Sequence, residues 1–204
     1  MRQRAIKDRA NILEENKAYI VQNPINCKGK WHSLFSDVFE VPEASAESKS
    51  EAALSENAAC KRDLYIEIGS GKGQFIAEKA RLNPDRLYLA CEGGLNIAPR
   101  ILQKAAGLKL KNLLVITDYI IDPADYFEPG ELAGVYINFC DPWPKKRHIK
   151  RRLTNREKLS EYMKIVGKGN HIQFKTDNDP LFEFTLEEIE AVGLKTLECT
   201  RDLH

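Results

Sequence analysis

Paired cysteines are missing from this chain: Cys27, Cys60, Cys91, Cys140 and Cys199 are widely separated, and no two form a C-x-x-C pair. That spacing argues against a metal site, and because several of the five lie in apolar, strand-like segments they read as buried free thiols. Also absent is any run of the roughly 18 apolar residues that a membrane span requires, and the first residues lead into no apolar stretch of a secretory leader. A cytoplasmic, reduced protein without bound metal is the expectation. Net charge is missing too: 31 Lys and Arg stand against 30 Asp and Glu, a balance of +1. Any affinity for a polyanion must therefore come from local clustering. What is present is size and apolar content, 204 residues of which 43% are hydrophobic, enough for one proper core and too much for a disordered tail.

Residues 1–22 open with Arg2 and Arg4, which could touch phosphate, and continue as a mixed helical segment with Ile6, Leu13 and Ile20 on one apolar stripe. Lys28-Gly-Lys-Trp31 is a turn leading to an aromatic anchor, and Leu34, Phe35, Val38 and Phe39 can pack it onto the main body. Residues 43–60 are rich in Ala, Ser and Glu with almost no large apolar side chains, as in a mobile insertion or an exposed helix. The expected organisation is a basic arm and helix at 1–42, a flexible insertion at 43–60 and one domain at 61–204.

From Asp63 onward, strand and helix patterns alternate, which predicts a doubly wound, Rossmann-like α/β sheet with helices on both faces. The strand candidates are Leu64–Ile68, Leu87–Cys91, Leu113–Thr117, Val135–Cys140, His171–Lys175 and Leu194–Thr200. Between them, Asn96 is placed to cap a helix with Pro99 in its first turn and Gly107 just past its end. Thr154 with Glu157 forms a capping box for a helix to about Val166, and Leu181–Val192 is an amphipathic helix stopped by Gly193.

The first strand runs into Glu67-Ile-Gly69-Ser-Gly71-Lys-Gly73, where glycines at alternate positions permit a sharp turn and close approach of a ligand. Glu92, Asp118 and Asp141 come after the second, third and fourth strands. A P-loop is excluded because Ile66 stands where its first glycine belongs and Gly73 comes directly after Lys72. The dinucleotide fingerprint has its third glycine one residue later than this chain does. Glu67 separates the remaining ligands: a carboxylate there crowds a pyrophosphate, whereas S-adenosylmethionine carries a sulfonium and an ammonium that favour nearby acids.

The stretch Tyr136 to Arg152, YINFCDPWPKKRHIKRR, carries the rest. A buried-type strand ends in Asp141, two prolines stiffen the loop beyond it, and Trp143 offers a flat face on which a base can stack. Six of the eight residues Lys145 to Arg152 are Lys or Arg, a phosphate-contacting composition.

With Glu67-x-Gly-x-Gly-x-Gly, Glu92, Asp118, Asn138-Phe-Cys-Asp-Pro-Trp-Pro-Lys-Lys-Arg-His and Phe174-Lys-Thr-Asp-Asn178 in place, the chain resembles the bacterial single-chain tRNA (guanine-N7)-methyltransferases over most of residues 1–42 and 61–204. The resemblance implies that Glu67, Glu92, Asp118 and Asp141, with the loop glycines Gly69, Gly71 and Gly73, hold S-adenosylmethionine, and that Asp141 also stands at the reaction centre. It implies tRNA as the partner of a monomer or homodimer, a variable-loop guanosine as target, and Lys145 and Asp177 at substrate-binding positions. Trp143, Arg147, Arg151 and Arg152 complete the expected substrate side. The resemblance also implies a connection shorter than 43–60 and a Thr-Glu-Tyr-Glu segment with a final strand beyond His204. Two rival readings remain: a methyltransferase for an exocyclic amine of DNA or RNA, whose motif is typically Pro-Pro-aromatic, and a tRNA-binding module without turnover.

Overall fold

The structure, a computed structural model, describes residues 8–39 and 62–202. The expectations for Arg2, Arg4, Ile6, Cys60 and the insertion at 43–60 lie outside the described residues. Among the described residues five strands form one sheet: β1 (Leu64–Ile68), β2 (Leu87–Cys91), β3 (Leu113–Ile116), β4 (Leu132–Asn138) and β5 (Val166–Lys175). Their spatial order is β3-β2-β1-β4-β5, and every neighbouring pair is parallel. The chain winds outward from β1 in both directions, so the β1–β4 boundary is the switch point where the crevice of such a sheet opens. Among the described residues the α-helices are α1 (Arg9–Glu15), α2 (Trp31–Phe39), α3 (Gln74–Leu82), α4 (Ala98–Gly107), α5 (Arg156–Ile165) and α6 (Asp179–Ala191).

The period-2 alternation of the strands sorts their side chains into two layers. Leu64, Ile66 and Ile68 of β1 join Leu89, Ile116, Val135 and Ile137 on one face, where Trp31, Phe35, Tyr162 and Ile165 cover them. Tyr65, Tyr88 and Tyr136 point to the other face with α3 and α4, supplied by Ile76, Ala77, Ala80, Ile101 and Leu102. These three tyrosines stack across β2, β1 and β4 with centroids 5.6 and 5.7 Å apart, and Gly134 makes room, since a Cβ there would lie 3.0 Å from the Tyr65 ring. The amino-terminal segment belongs to the same body. Trp31 is fully buried, stacks on Phe127 at 5.3 Å and donates its indole N–H to the Tyr126 carbonyl at 2.9 Å, while Ile20 bridges to Val115 beside β3.

Several local expectations are corrected. Residues 194–200 are not a strand. Only Leu197 and Cys199 share an apolar face there, too little to order an edge, and Arg201 instead draws the segment along α6 by pairing with Glu183 and Asp179 and lying 4.9 Å from the Phe182 ring. Of the cysteines expected to be buried, Cys91 is buried, Cys27 and Cys140 are half-buried and Cys199 is exposed, and all four are free thiols. Asn96 does not cap α4: the Gly94 carbonyl receives the Ile97 and Ala98 N–H groups. Gly107 falls inside that helix, and Lys109 takes the left-handed position at φ 52°. At α5 the cap is Asn155, which accepts from Lys158 N–H at 3.0 Å. Thr154 is buried instead, bonded to Thr185 at 2.7 Å. Gly193 does end α6, with φ 66°. The fourth strand stops at Asn138 rather than Cys140 because Phe139 turns left-handed at φ 50°.

Trp31 couples burial to a hydrogen bond whose acceptor would be left facing a void. Trp31→Ala is expected to destabilise the fold by about 3–5 kcal/mol, read as a lower denaturation midpoint in urea with an unchanged slope.

Candidate active site

The backbone leaves β1 through Gly69, Gly71 and Gly73, all left-handed at φ 73°, 56° and 66°. Any other residue would be strained there, and a Cβ on Gly73 would also meet Ile101 of α4 at 2.8 Å. The Gly69 and Ser70 N–H groups donate to the Cys91 carbonyl at 2.9 and 3.0 Å, which ties the loop to the end of β2. Glu92 closes the arrangement: its Oε2 accepts from Gly71 N–H at 2.9 Å and its Oε1 from Gly94 N–H at 2.8 Å. Each oxygen keeps a further lone pair for a ligand hydroxyl. Around Gly71 no atom lies within 4 Å of where a Cβ would stand, so this stretch of backbone faces open space.

Glu67 is the buried centre of the site, 2% exposed near the end of β1. On β4, Asn138 projects from the same sheet face and donates its Nδ2–H to Glu67 Oε1 at 2.8 Å. Glu67 Oε2 and Asn138 Oδ1 are both buried acceptors without a partner. Burial pushes the Glu67 carboxyl up to about 7, against the Asn138 hydrogen bond that pulls it down. Two orphaned acceptors side by side, one of them a carboxylate held at a cost, fit a ligand cation with several N–H donors. S-adenosylmethionine carries such a group in its ammonium. The residues present therefore fit this cofactor, and Asn138, the first polar residue after an apolar run, is a site residue that sequence reasoning missed.

Asp118 lies just past β3 in an exposed position, its Oδ1 accepting from the Tyr119 N–H at 2.7 Å. Its carbonyl receives the Cys91 thiol at 3.3 Å, an inert thiol whose burial pushes it up to about 12. Tyr119 is 66% exposed and lies against Gly93, where a Cβ would meet its ring at 2.5 Å. The structure thus gathers Glu67, Gly69, Gly71, Gly73 and Glu92 into one trough, with Asp118 on its rim.

The loop after β4 forms the second half. Phe139 N–H donates to the Lys175 carbonyl at 2.8 Å, joining the ends of β4 and β5 and bringing Asp141 toward the segment that carries Asp177. Both acids are exposed. Asp141 stands between two non-glycine left-handed residues, Phe139 at φ 50° and Trp143 at φ 42°, a conformation that costs of order 1–3 kcal/mol per residue. Beyond it, Lys146–Arg151 is a 3-10 helix with Lys145 at its cap. Its period of three residues puts His148 and Arg151 on one side. Both meet Trp143, His148 edge-on at 5.5 Å and Arg151 over the ring at 4.9 Å. Lys145, Lys146, Arg147 and Lys150 are exposed. Arg152, expected among the phosphate contacts, is instead turned onto the loop carbonyls of Pro142 and Trp143. A cleft of about 260 Å³ lies beside this turn, lined by Ile149, Lys150, Arg156, Phe184 and Glu188, and does not border the glycine loop.

A switch-point crevice that carries Glu67 and Glu92 on its two sides suits a cationic cofactor. Its fold and site make this chain a Rossmann-like, S-adenosylmethionine-dependent methyltransferase. The fold agrees with that of the precorrin-6y C5,15-methyltransferase from Geobacter metallireducens GS-15, with a TM-score of 0.52 over 65% of this chain and 64% of that one at 14% identity. A family described as "Putative methyltransferase" matches residues 61–204. The tRNA (guanine-N(7)-)-methyltransferase of Bacillus subtilis (strain 168) is 37% identical over 194 residues, 95% of this chain and 80% of that protein. The protein of the same description from Latilactobacillus sakei subsp. sakei (strain 23K) is 38% identical over 195 residues, 96% of this chain and 81% of its own length. The chain belongs to the tRNA (guanine-N7-)-methyltransferase family. No helix among its described residues is long and apolar enough to cross a membrane.

The raised Glu67 carboxyl makes cofactor binding depend on pH. Below its unfolded value of 4.5 the group is protonated in both folded and unfolded chains, and the stability this lends the ligand-free fold is lost as pH rises toward about 7. A bound cation favours the ionised form, so affinity for S-adenosylmethionine is expected to be severalfold weaker at pH 6 than at about pH 7.5. There the carboxyl is mostly ionised and the ligand's α-ammonium, with a pKa of about 8, is still largely protonated. Proton release on binding, measured by calorimetry in buffers of different ionisation enthalpy, checks this, and Glu67→Gln is expected to abolish it.

Proposed function

We propose that this protein transfers the methyl group of S-adenosylmethionine to N7 of guanine in tRNA, and, in keeping with the resemblance of its motif, to a variable-loop guanosine. The observation that carries this reading is one juxtaposition. An acidic trough at Glu67 and Glu92 lies one strand away from Asp141, which stands on a stiff loop beside a turn that presents Lys145, Lys146, Arg147 and Lys150 to solvent.

The bound cofactor supplies a methyl group on a sulfonium, already electrophilic. Guanine N7 has an in-plane lone pair exposed on the major-groove edge, so no general base is needed. The chain's work is placement and electrostatics. Glu67 and Asn138 hold the ammonium, Glu92 accepts from ribose hydroxyls, and Asp118 with Gly69, Gly71 and Gly73 completes the cofactor side. Asp141 orients the base and offsets the positive charge that the purine ring acquires. Lys145 and Asp177 contact the substrate, while Trp143, one face already covered by Arg151, walls the pocket. Lys146, Arg147 and Lys150 meet RNA phosphates. A cytoplasmic location is part of the same reading.

Mapping the product of a labelled-methyl assay on bulk tRNA is expected to give N7-methylguanosine. An exocyclic-amine product, or none, would overturn the proposal in favour of the rival readings. Asp141→Ala should cut kcat by about 10²–10³-fold, as for other lost electrostatic groups, without unfolding the protein, and retention of more than about a tenth of the activity removes Asp141 from the reaction centre. Lys146→Ala with Arg147→Ala should make the plot of log K for tRNA against log salt shallower by roughly 0.7–0.9 unit per lost phosphate contact. Superimposable slopes would show that these cations face only solvent.

A further inference from the structure

Composition alone assigns Arg152 to the RNA backbone, together with the cations before it. Its surroundings give it other work. Nε donates to the Pro142 carbonyl at 3.0 Å and to the Trp143 carbonyl at 3.3 Å, and Nη2 donates to the Trp143 carbonyl at 3.2 Å. The guanidinium carbon lies 4.2 Å from the centroid of Phe184 on α6. The backbone of Arg152 is held as firmly. Its N–H donates to the Ile149 carbonyl at 3.0 Å, and its carbonyl accepts from Asn155 Nδ2 at 2.8 Å, the same side chain that caps α5. We propose that Arg152 is a positioning residue, a latch that fixes the Asp-Pro-Trp-Pro loop and through it Asp141, and that it makes no phosphate contact.

The loop has few other means of holding its shape. Pro142 and Pro144 have no N–H to donate, and Trp143 is left-handed at φ 42° directly before a proline whose ring crowds it. At the opposite end Phe139, also left-handed at φ 50°, is tied to β5 by its N–H bond to Lys175. Asp141 therefore hangs between two unfavourable backbone conformations. One is anchored by main chain and the other by Arg152. Only a planar fork can span two successive carbonyls while its flat face lies on an aromatic ring, so an ammonium of the same charge is no substitute.

That difference between arginine and lysine supplies the test. Charge suffices for a phosphate contact, whereas the latch needs geometry. The turnover arm rests on the proposed guanine-N7 methylation, and a hydrogen-exchange arm does not. In the full chain, Arg152→Lys and Arg152→Ala are both expected to lower kcat at saturating tRNA by tenfold or more, in line with about 10²-fold for a displacement of 1 Å. The salt slope for tRNA binding should stay at the wild-type value in both, whereas Arg147→Ala shifts it. Without RNA or cofactor, the amides that flank the loop and are hydrogen-bonded, Phe139 to the Lys175 carbonyl and His148 to the Lys145 carbonyl, should exchange at least tenfold faster in Arg152→Lys than in wild type. Wild-type kcat in Arg152→Lys, unchanged exchange of these amides, or a slope flattened by nearly one unit in Arg152→Ala each overturns the latch. Should wild type give no N7-methylguanosine, the proposed function fails and the exchange rates alone decide on Arg152. If Arg152→Ala does not fold, Phe184→Leu, which removes the stacking partner and no charge, takes its place with the same expected acceleration.

Discussion

A parallel sheet covered by helices on both faces can show polar side chains to solvent only where its strands end, because any polar group along the strands must be buried with its partners. In this protein Leu64, Ile66 and Ile68 fill one layer and Tyr65 the other, and the acids appear at the carboxyl ends of β1, β2, β3 and β4. Glu67 strains that constraint. It sits one residue inside β1, 2% exposed, and its ionised form is held by Asn138 and whatever cation enters the trough. Ligand binding and core electrostatics meet in this one carboxylate. The same burial that destabilises its charge makes the site selective for a positively charged group.

The backbone carries a parallel arrangement of strain. Left-handed residues cluster where the chain leaves β1 and β4: Gly69, Gly71 and Gly73 on one side of the crevice, Phe139 and Trp143 on the other. The glycines adopt this conformation at no steric cost and let a ligand approach the main chain. The two aromatic residues are strained by it, and their neighbours pin them, Phe139 by the Lys175 carbonyl and Trp143 through Arg152. A flexible loop would place Asp141 in many positions. A strained and latched one places it in few, which is the preorganisation that methyl transfer to an already nucleophilic nitrogen requires.

The basic run shows how helical geometry assigns identical side chains to different tasks. In the 3-10 helix Lys146–Arg151, residues three apart align, so Arg151 and His148 turn to Trp143 while Lys146, Arg147 and Lys150 face outward. Asn155 then links the basic turn to the fold, since one side chain caps α5 and holds the carbonyls of Lys150 and Arg152. The exposed cations on the outer side and the Asp141 loop on the inner side share this short connection.

Much of this was legible in the residues alone. Apolar runs of the length of strands, separated by helical periods, determined the parallel α/β sheet, because a run such as Leu87–Cys91 has no stable alternative to burial on both faces. The alternate glycines after β1 and the acids after each strand determined where a cationic cofactor fits, since backbone freedom and charge are properties of the residues themselves. Other features depended on distances that only the folded chain sets. Leu194–Thr200 had the composition of a strand, yet Arg201 found Glu183, Asp179 and the Phe182 ring within reach, and the segment runs along α6. Thr154 and Asn155 are both good caps, and the choice fell to Asn155 because Thr185 lies opposite Thr154. Arg147 and Arg152 are indistinguishable as letters in a basic run. The tertiary structure separates them, because a guanidinium becomes a solvent-facing charge or a structural fork according to whether carbonyls and an aromatic face lie within hydrogen-bonding and stacking distance, and no local pattern encodes that proximity.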